Sequence, residues 1–255
     1  MSSARGIGYG LLGSAGAIAV WAVLAEVAGG TALVGPLATW DAIVELMGES
    51  AFWSAAGTTL VMALRGLLIA AVVGTTLGIL VGTSRWVAAG LQVPLAFLRS
   101  IPPIVVMPIA LLVLGPTQQM GEALVFYGCV LPIVVTTAHG VAETDPVAIQ
   151  TARSFGLSRF QVMRRVTLPS TSAYVGTAVR IALPHAFVIV VLAGFLAGSP
   201  GLGHSLVQAV LSGDSARLYA IVVVLGCMGL LVFEVGHVLE RRLLHWHVSY
   251  RKVAA

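Results

Sequence analysis

"QTARSFGLSRFQVMRRVTLP" (residues 150–169) interrupts an otherwise apolar chain. It carries Arg153, Arg159, Arg164 and Arg165, with a glycine at 156 and a proline at 169, and long apolar runs flank it. Of the 255 residues, 58% are hydrophobic and 9% charged. Soluble domains average about 25% charged residues, so this composition excludes a soluble globular class. A chain built for lipid therefore keeps one basic, polar, glycine-punctuated segment in its middle.

A helix needs about 20 apolar residues to cross a bilayer. Six segments meet that requirement, at roughly 8–30, 56–83, 92–114, 121–142, 171–198 and 216–240. The short alternating segments of a transmembrane barrel are not seen. The fold class is all-α, a polytopic membrane protein of about six transmembrane helices. Its organisation reads as an N-terminal span with an outer amphipathic helix (1–55), a core (56–242) containing a polar loop at 144–169, and a tail (243–255). Basic residues orient it. With the N-terminus inside, Arg5, Arg85, Arg153, Arg159, Arg164, Arg165, Arg241, Arg242, Arg251 and Lys252 are cytoplasmic, against Arg217 alone outside. That asymmetry places both termini and the loop in the cytoplasm.

The segment 35–50 reads as an amphipathic helix begun by Thr39 and lying on the outer surface. Gly74, Gly78 and Gly82 form a ridge of small residues that lets another helix approach closely. Pro94, Pro102, Pro103 and Pro108 crowd the third span and predict a kink, because each proline removes a backbone donor.

The loop resolves into two short helices. Asp145 caps the first and Pro146 occupies its first turn. Gly156 ends it in a left-handed conformation. Ser158 and Gln161 form a capping box that starts the second, and Leu168-Pro169 stops it before the fifth span. Phe155, Leu157 and Phe160 gather at the corner. Two uses of that corner are open from the pattern: docking into a groove of a partner protein, or packing beneath the chain's own helix ends with the arginines on lipid headgroups.

The same residues resemble a known motif. Gln150-Thr151-Ala152, then Gly156, Val166 and Leu168-Pro169 keep every spacing of the EAA loop of permease subunits from binding-protein-dependent ABC importers. Only the first two letters depart, Gln for Glu and Thr for Ala. "RSIPPIVVMPIALLVLG", "GILVGTSRW", "GVAETDP" and "GSPGLGHSL" are similar to the nitrate, sulfonate and taurine branch of that family. Gly194 stands where this branch usually has a Glu. The resemblance implies a type I ABC importer permease in a bacterial cell membrane, two copies forming the pore. It implies that Gln150, Thr151, Ala152, Phe155, Gly156, Leu157, Ser158, Arg159 and Phe160 dock into a cytoplasmic ATPase subunit. A separate extracytoplasmic binding protein would deliver the solute. ATP and Mg would be held by the partner: Lys252 is the only lysine and is followed by Val253, so no G-x-x-x-x-G-K-[ST] loop occurs here. The chain itself is accordingly not expected to be an enzyme, and no nucleic acid or metal is implied.

Among intramembrane residues, Arg99, Pro102, Pro103, Arg180 and His185 are candidates to line the pathway, the arginines suiting an anionic solute. Arg65 is expected to pair with Glu26, and Glu234 with His237. His245-Trp246-His247 reads as an interfacial anchor, and Cys129 and Cys227 as small core hydrophobes. The rival reading is an ion-coupled secondary transporter, which predicts inverted repeats and midplane carboxylates. An enzyme built on Ser199 is a remoter one.

Overall fold

The structure, a computed structural model, describes residues 2–28 and 33–243. Helices run as α1 (Ser2–Val27), α2 (Pro36–Gly48), α3 (Ser50–Thr83), α4 (Arg85–Arg99), α5 (Pro103–Leu114), α6 (Gln118–Ala142), α7 (Pro146–Ser154), α8 (Arg159–Val162), α9 (Leu168–Ala197), α10 (Leu202–Ser212) and α11 (Ser215–Leu243). Among the described residues four helical stretches, containing α3, α6, α9 and α11, are long and apolar enough to cross a membrane. The fifth candidate span is α4 with α5, which meet at a bend of 87°. The first expected span is less complete: the described apolar part of α1 covers Leu12–Val27, and residues 29–32 lie outside the described ones. The tail from residue 244, with His245-Trp246-His247, also lies outside.

The centre is a seam between α3 and α6. Gly66, Ala70, Gly74, Gly78 and Gly82 recur every fourth residue on α3, which places them on one face. Opposite stand Val125, Ile133, Thr137 and Val141 of α6; a Cβ at Gly78 would lie 2.5 Å from the Thr137 Cβ, and one at Gly74 2.9 Å from the Ile133 Cγ2. The β-branched side chains therefore fill the space that missing side chains leave. The ridge is longer than the three glycines expected. α9 completes this core with Ala178, Ala182, Ala186 and Val190.

A second cluster closes the opposite end from the 146–167 loop, joining Ile43 and Leu46 of α2, Phe52 of α3, Leu202 of α10 and Ile221 of α11. Arg217 bridges it, donating to both carboxylate oxygens of Glu49 at 2.8 and 2.6 Å. α2 begins one turn earlier than expected, at Pro36, because Pro is preformed for the first turn. Thr39 is buried and donates back to the Gly35 carbonyl at 2.9 Å. α1 is attached through Trp21, which donates to the Val34 carbonyl and stacks on Tyr219 at 6.2 Å.

Gly194 of α9 lies against α10: a Cβ there would come within 3.0 Å of the Gly203 Cα and 2.9 Å of the His204 nitrogen. A side chain at 194 has no room in this arrangement. Cys129 is buried as expected, whereas Cys227 is exposed on the outward face of α11.

Candidate functional site

The loop between α6 and α9 forms the folded hairpin that its caps predict. The Asp145 carboxylate accepts from the Val147 N–H at 2.8 Å, leaving Pro146 in the first turn. At the other end of α7, Leu157 N–H reaches the Ala152 carbonyl and Gly156 N–H the Arg153 carbonyl, with Gly156 at φ +80°. These two bonds around a left-handed glycine make a Schellman motif, which satisfies the loose carbonyls of α7 within the segment. The Ser158 hydroxyl then accepts from Gln161 N–H while the Gln161 side chain accepts from Ser158 N–H at 2.8 Å. The caps thus fix the angle between the two helices without help from the rest of the molecule.

One expectation fails here. Leu168-Pro169 does not stop α8. The chain continues through a widened turn at Met163–Thr167, where Leu168 N–H bonds the Met163 carbonyl, five residues back, and runs directly into α9. Widening the turn relieves the clash between the Pro169 ring and the preceding carbonyls, so the helix passes the proline instead of ending. The hairpin is therefore joined to α9 by helix.

The corner points outward. Phe155 is 81% exposed and Phe160 72% exposed, so neither packs under the chain's own helix ends; only Val162 and Thr167 are buried. Leu157 is half-buried, and Gln150, Thr151, Ser158 and Arg159 are exposed, with Ala152 intermediate.

The other expected site is the broken span. Pro102 and Pro103 begin α5, while Pro94 and Pro108 sit inside α4 and α5 without ending them. Tyr127 of α6 explains where the loose backbone goes: its hydroxyl lies 2.9 Å from the Leu98 carbonyl and 3.1 Å from that of Ile101. Pro102 and Pro103 border a cavity of about 200 Å³ with Met107, Leu124, Ile189 and Leu192. Arg99 is exposed at the end of α4, and His185 is exposed on α9, its Nδ1–H donating to the Ile181 carbonyl at 2.8 Å.

Arg180 is engaged elsewhere. Its Nε lies 3.0 Å from Glu240 Oε2, off the hydrogen-bond axis and so an ion pair, and its Nη1 lies 3.2 Å from His237 Nδ1. The Thr177 hydroxyl donates to the other Glu240 oxygen at 2.8 Å. Glu240, only 4% exposed, is thus the acceptor that joins α11 to α9. Its setting beside Arg241 and Arg242 reads as surface, and no signal in the sequence marks it as buried. His237 therefore pairs with Arg180 and not with Glu234, which is exposed. Similarly, Arg65 pairs with Glu122 on α6 at 3.5 Å, not with Glu26. α3 packs along α6, which brings Glu122 within reach, and Glu26 is exposed on α1. Ser199 is buried and donates to the Thr117 carbonyl at 3.0 Å, so its hydroxyl ties a corner of the fold.

The family model described as "binding-protein-dependent transport system inner membrane component" matches residues 74–245, from the glycine seam through α11. The chain belongs to this family. It is 30% identical over 200 residues to a nitrate import permease protein of Leptolyngbya laminosa, covering 76% of this chain and 71% of that protein. A putative aliphatic sulfonates transport permease protein of Bacillus subtilis is 27% identical over 243 residues, covering 94% of this chain and 88% of that one. In fold the chain resembles the methionine ABC transporter MetNI solved in inward-facing conformations, with a TM-score of 0.66 and 20% identity over 75% of this chain and 95% of that one. The protein is thus an all-α, multi-pass permease of an ABC importer, with the type I importer fold. None of these comparisons favours the ion-coupled alternative.

Proposed function

We propose that this permease forms half of the translocation path for a small anion and is driven through its hairpin by a cytoplasmic ATPase that binds ATP and Mg. The observation that carries the reading is the hairpin itself. Two capped helices hold Phe155 and Phe160 out into solvent beside Arg153 and Arg159, and an exposed aromatic corner on a membrane protein's polar loop suits a groove on a partner. Because α8 continues into α9, a push on the hairpin is a push on a transmembrane helix. Drawing two such hairpins together would tilt two copies of α9 and exchange inward-facing for outward-facing states.

The basic asymmetry supports an orientation with the hairpin and both termini in the cytoplasm. A second copy of the chain completes the pore, and an extracytoplasmic binding protein delivers the solute to the opposite face. An anion as cargo is supported by the nitrate and sulfonate relatives. Arg99, Pro102, Pro103 and His185 are the pathway candidates; the charge of Arg180 is taken up by Glu240. Purification of the tagged chain from its host, with and without Gly156→Arg, tests the reading. The intact chain should bring down an ATPase with a phosphate-binding loop, and the variant should lose it, since φ +80° disfavours any side chain. An intact chain that brings down no ATPase would refute the docking assignment.

A further inference from the structure

α4 stands away from the bundle. None of its residues is buried, although it runs beside α6 from the hairpin end toward Tyr127. Between them lies a cleft of about 740 Å³ bordered by Arg85, Ala88 and Gln92 of α4 and by Val134, Ala138 and His139 of α6. Arg85 and Gln92 are seven residues apart, two helical turns, and so share a face; Arg99 continues the same stripe. No acidic side chain lines the cleft. Among the described residues, the side chains of Arg85, Gln92 and His139 make no hydrogen bond or ion pair. The Arg85 guanidinium lies over the face of Trp86, 5.1 Å away, with Trp86 itself 76% exposed.

We propose that this cleft binds an oxyanion, held by Arg85, Gln92 and His139. A guanidinium is always charged and presents paired donors that match two oxygens of one anion. An amide and an imidazole add donors from the side and from the facing helix. The first turn of α4, capped by Ser84 at Val87, adds the positive end of its dipole. Apart from Thr83 the remaining walls are aliphatic, and such low-dielectric walls focus the field of Arg85, which is itself exposed at the cleft mouth. The volume falls within the range of small-molecule sites. Two sources share this chemistry: the phosphate of a phospholipid headgroup at the hairpin-side interface, and a free oxyanion such as phosphate or nitrate. Placing the cleft on the cytoplasmic side rests on the orientation proposed above; the binding itself does not.

The test uses the full chain in two nanodisc preparations. In phosphatidylcholine discs, inorganic phosphate and nitrate are titrated and tryptophan fluorescence is followed, with Trp86→Phe identifying the reporter. In discs containing phosphatidylglycerol as well, native mass spectrometry counts the anionic lipid retained after delipidation. A response to the free anions that weakens about tenfold or more in Arg85→Gln, the loss of one charge-assisted contact, assigns a free oxyanion. Preferential retention of phosphatidylglycerol that Arg85→Gln abolishes assigns the headgroup. Arg241→Gln makes the same charge change on α11 and should leave either signal intact. His139→Leu provides a second variant should Arg85→Gln fold poorly, judged by size exclusion. Absence of both responses in the unmodified chain, or equal loss in Arg241→Gln, overturns the site. Neither readout involves an ATPase, so failure of the importer reading would leave this result intact.

Discussion

The hairpin at 145–169 and the break at 99–103 both interrupt helices, and they satisfy their loose backbone groups in opposite ways. In the hairpin every partner lies within six residues: Asp145 for Val147, Ala152 for Leu157, and Ser158 with Gln161 for each other. At the break short turns such as Ile101 N–H to the Leu98 carbonyl at 3.2 Å are joined by a distant partner, Tyr127, 26 and 29 residues away in sequence. The first region keeps its shape through its own caps, which suits a part that must move as a unit and present a fixed face. The second adds to its local turns a tie to α6, so its shape depends in part on the neighbouring helix. The same contrast separates α11's inner end, fixed by the distant pair Arg180–Glu240, from the self-contained loop.

The contrast makes its strongest claim at Glu240. Replacing it by Ala leaves Arg180, whose side chain is 29% exposed, with His237 but without its carboxylate, at a cost toward the lower end of the range of about 3–5 kcal/mol for breaking a fully buried pair. Thermal unfolding in detergent should show a larger loss for Glu240→Ala than for Gly78→Leu, Tyr127→Phe or Ser158→Ala. A drop no larger than that of an exposed substitution such as Glu234→Ala would mean the pair is solvated, and the distinction between local and distant closure would lose its main support.

The seam between α3 and α6 tests the same idea by overfilling. Gly78→Leu would drive a side chain into Thr137 and the Val134 carbonyl, the latter 2.7 Å from an added Cβ. Overpacking of this kind costs about 1–3 kcal/mol. Gly57→Ala on the same helix meets nothing within 4 Å and should be neutral or stabilising. Comparable losses in both variants would contradict the packing described.

These outcomes bear on what the sequence can say. The hairpin was legible residue by residue because capping chemistry is short-range: an Asp before a Pro, a Gly in a left-handed position and a Ser three before a Gln act on their own backbones. The one misreading within it, a stop at Leu168-Pro169, is also local in origin, since proline permits either an end or a widened turn and continuity with α9 decides. The glycine ridge was partly legible: its period was visible, but its extension to Gly66 and its partner α6 were not. Pairings in the spans were not legible at all. Arg65 found Glu122, and Arg180 found Glu240 and His237, because helix neighbours are set by packing across the whole bundle and no spacing along the chain encodes them. Gly194 is similar: its role as a contact surface for Gly203 appears only once α10 folds back.

Tyr127→Phe sharpens the comparison at the break. Removing the hydroxyl leaves the Ile101 carbonyl to lipid or to whatever water enters, and the Leu98 carbonyl with the local Ile101 N–H, at a cost of about 1 kcal/mol. Hydrogen exchange should quicken across 98–103 and leave 145–162 unchanged. Equal acceleration in both regions would show that the break is not held by Tyr127 in particular.

The smallest effect is expected at Ser158, and its confinement matters more than its size. Ser158→Ala removes the acceptor for Gln161 N–H, and loss of such a cap costs about 1 kcal/mol. That amount acts on a four-residue helix, Arg159–Val162, which is exposed apart from Val162 and depends on its cap. The amides of 158–163 should therefore exchange several-fold faster, while the unfolding temperature of the bundle stays within error of the unmodified protein. Gln161→Ala, which removes the other half of the box, should reproduce the pattern. A fall in the global unfolding temperature with Ser158→Ala would mean the hairpin is cooperatively coupled to the core through the helix that continues into α9. In that case the loop is stabilised from a distance after all, and only the break would remain distinct in kind from the hairpin by the length of its reach.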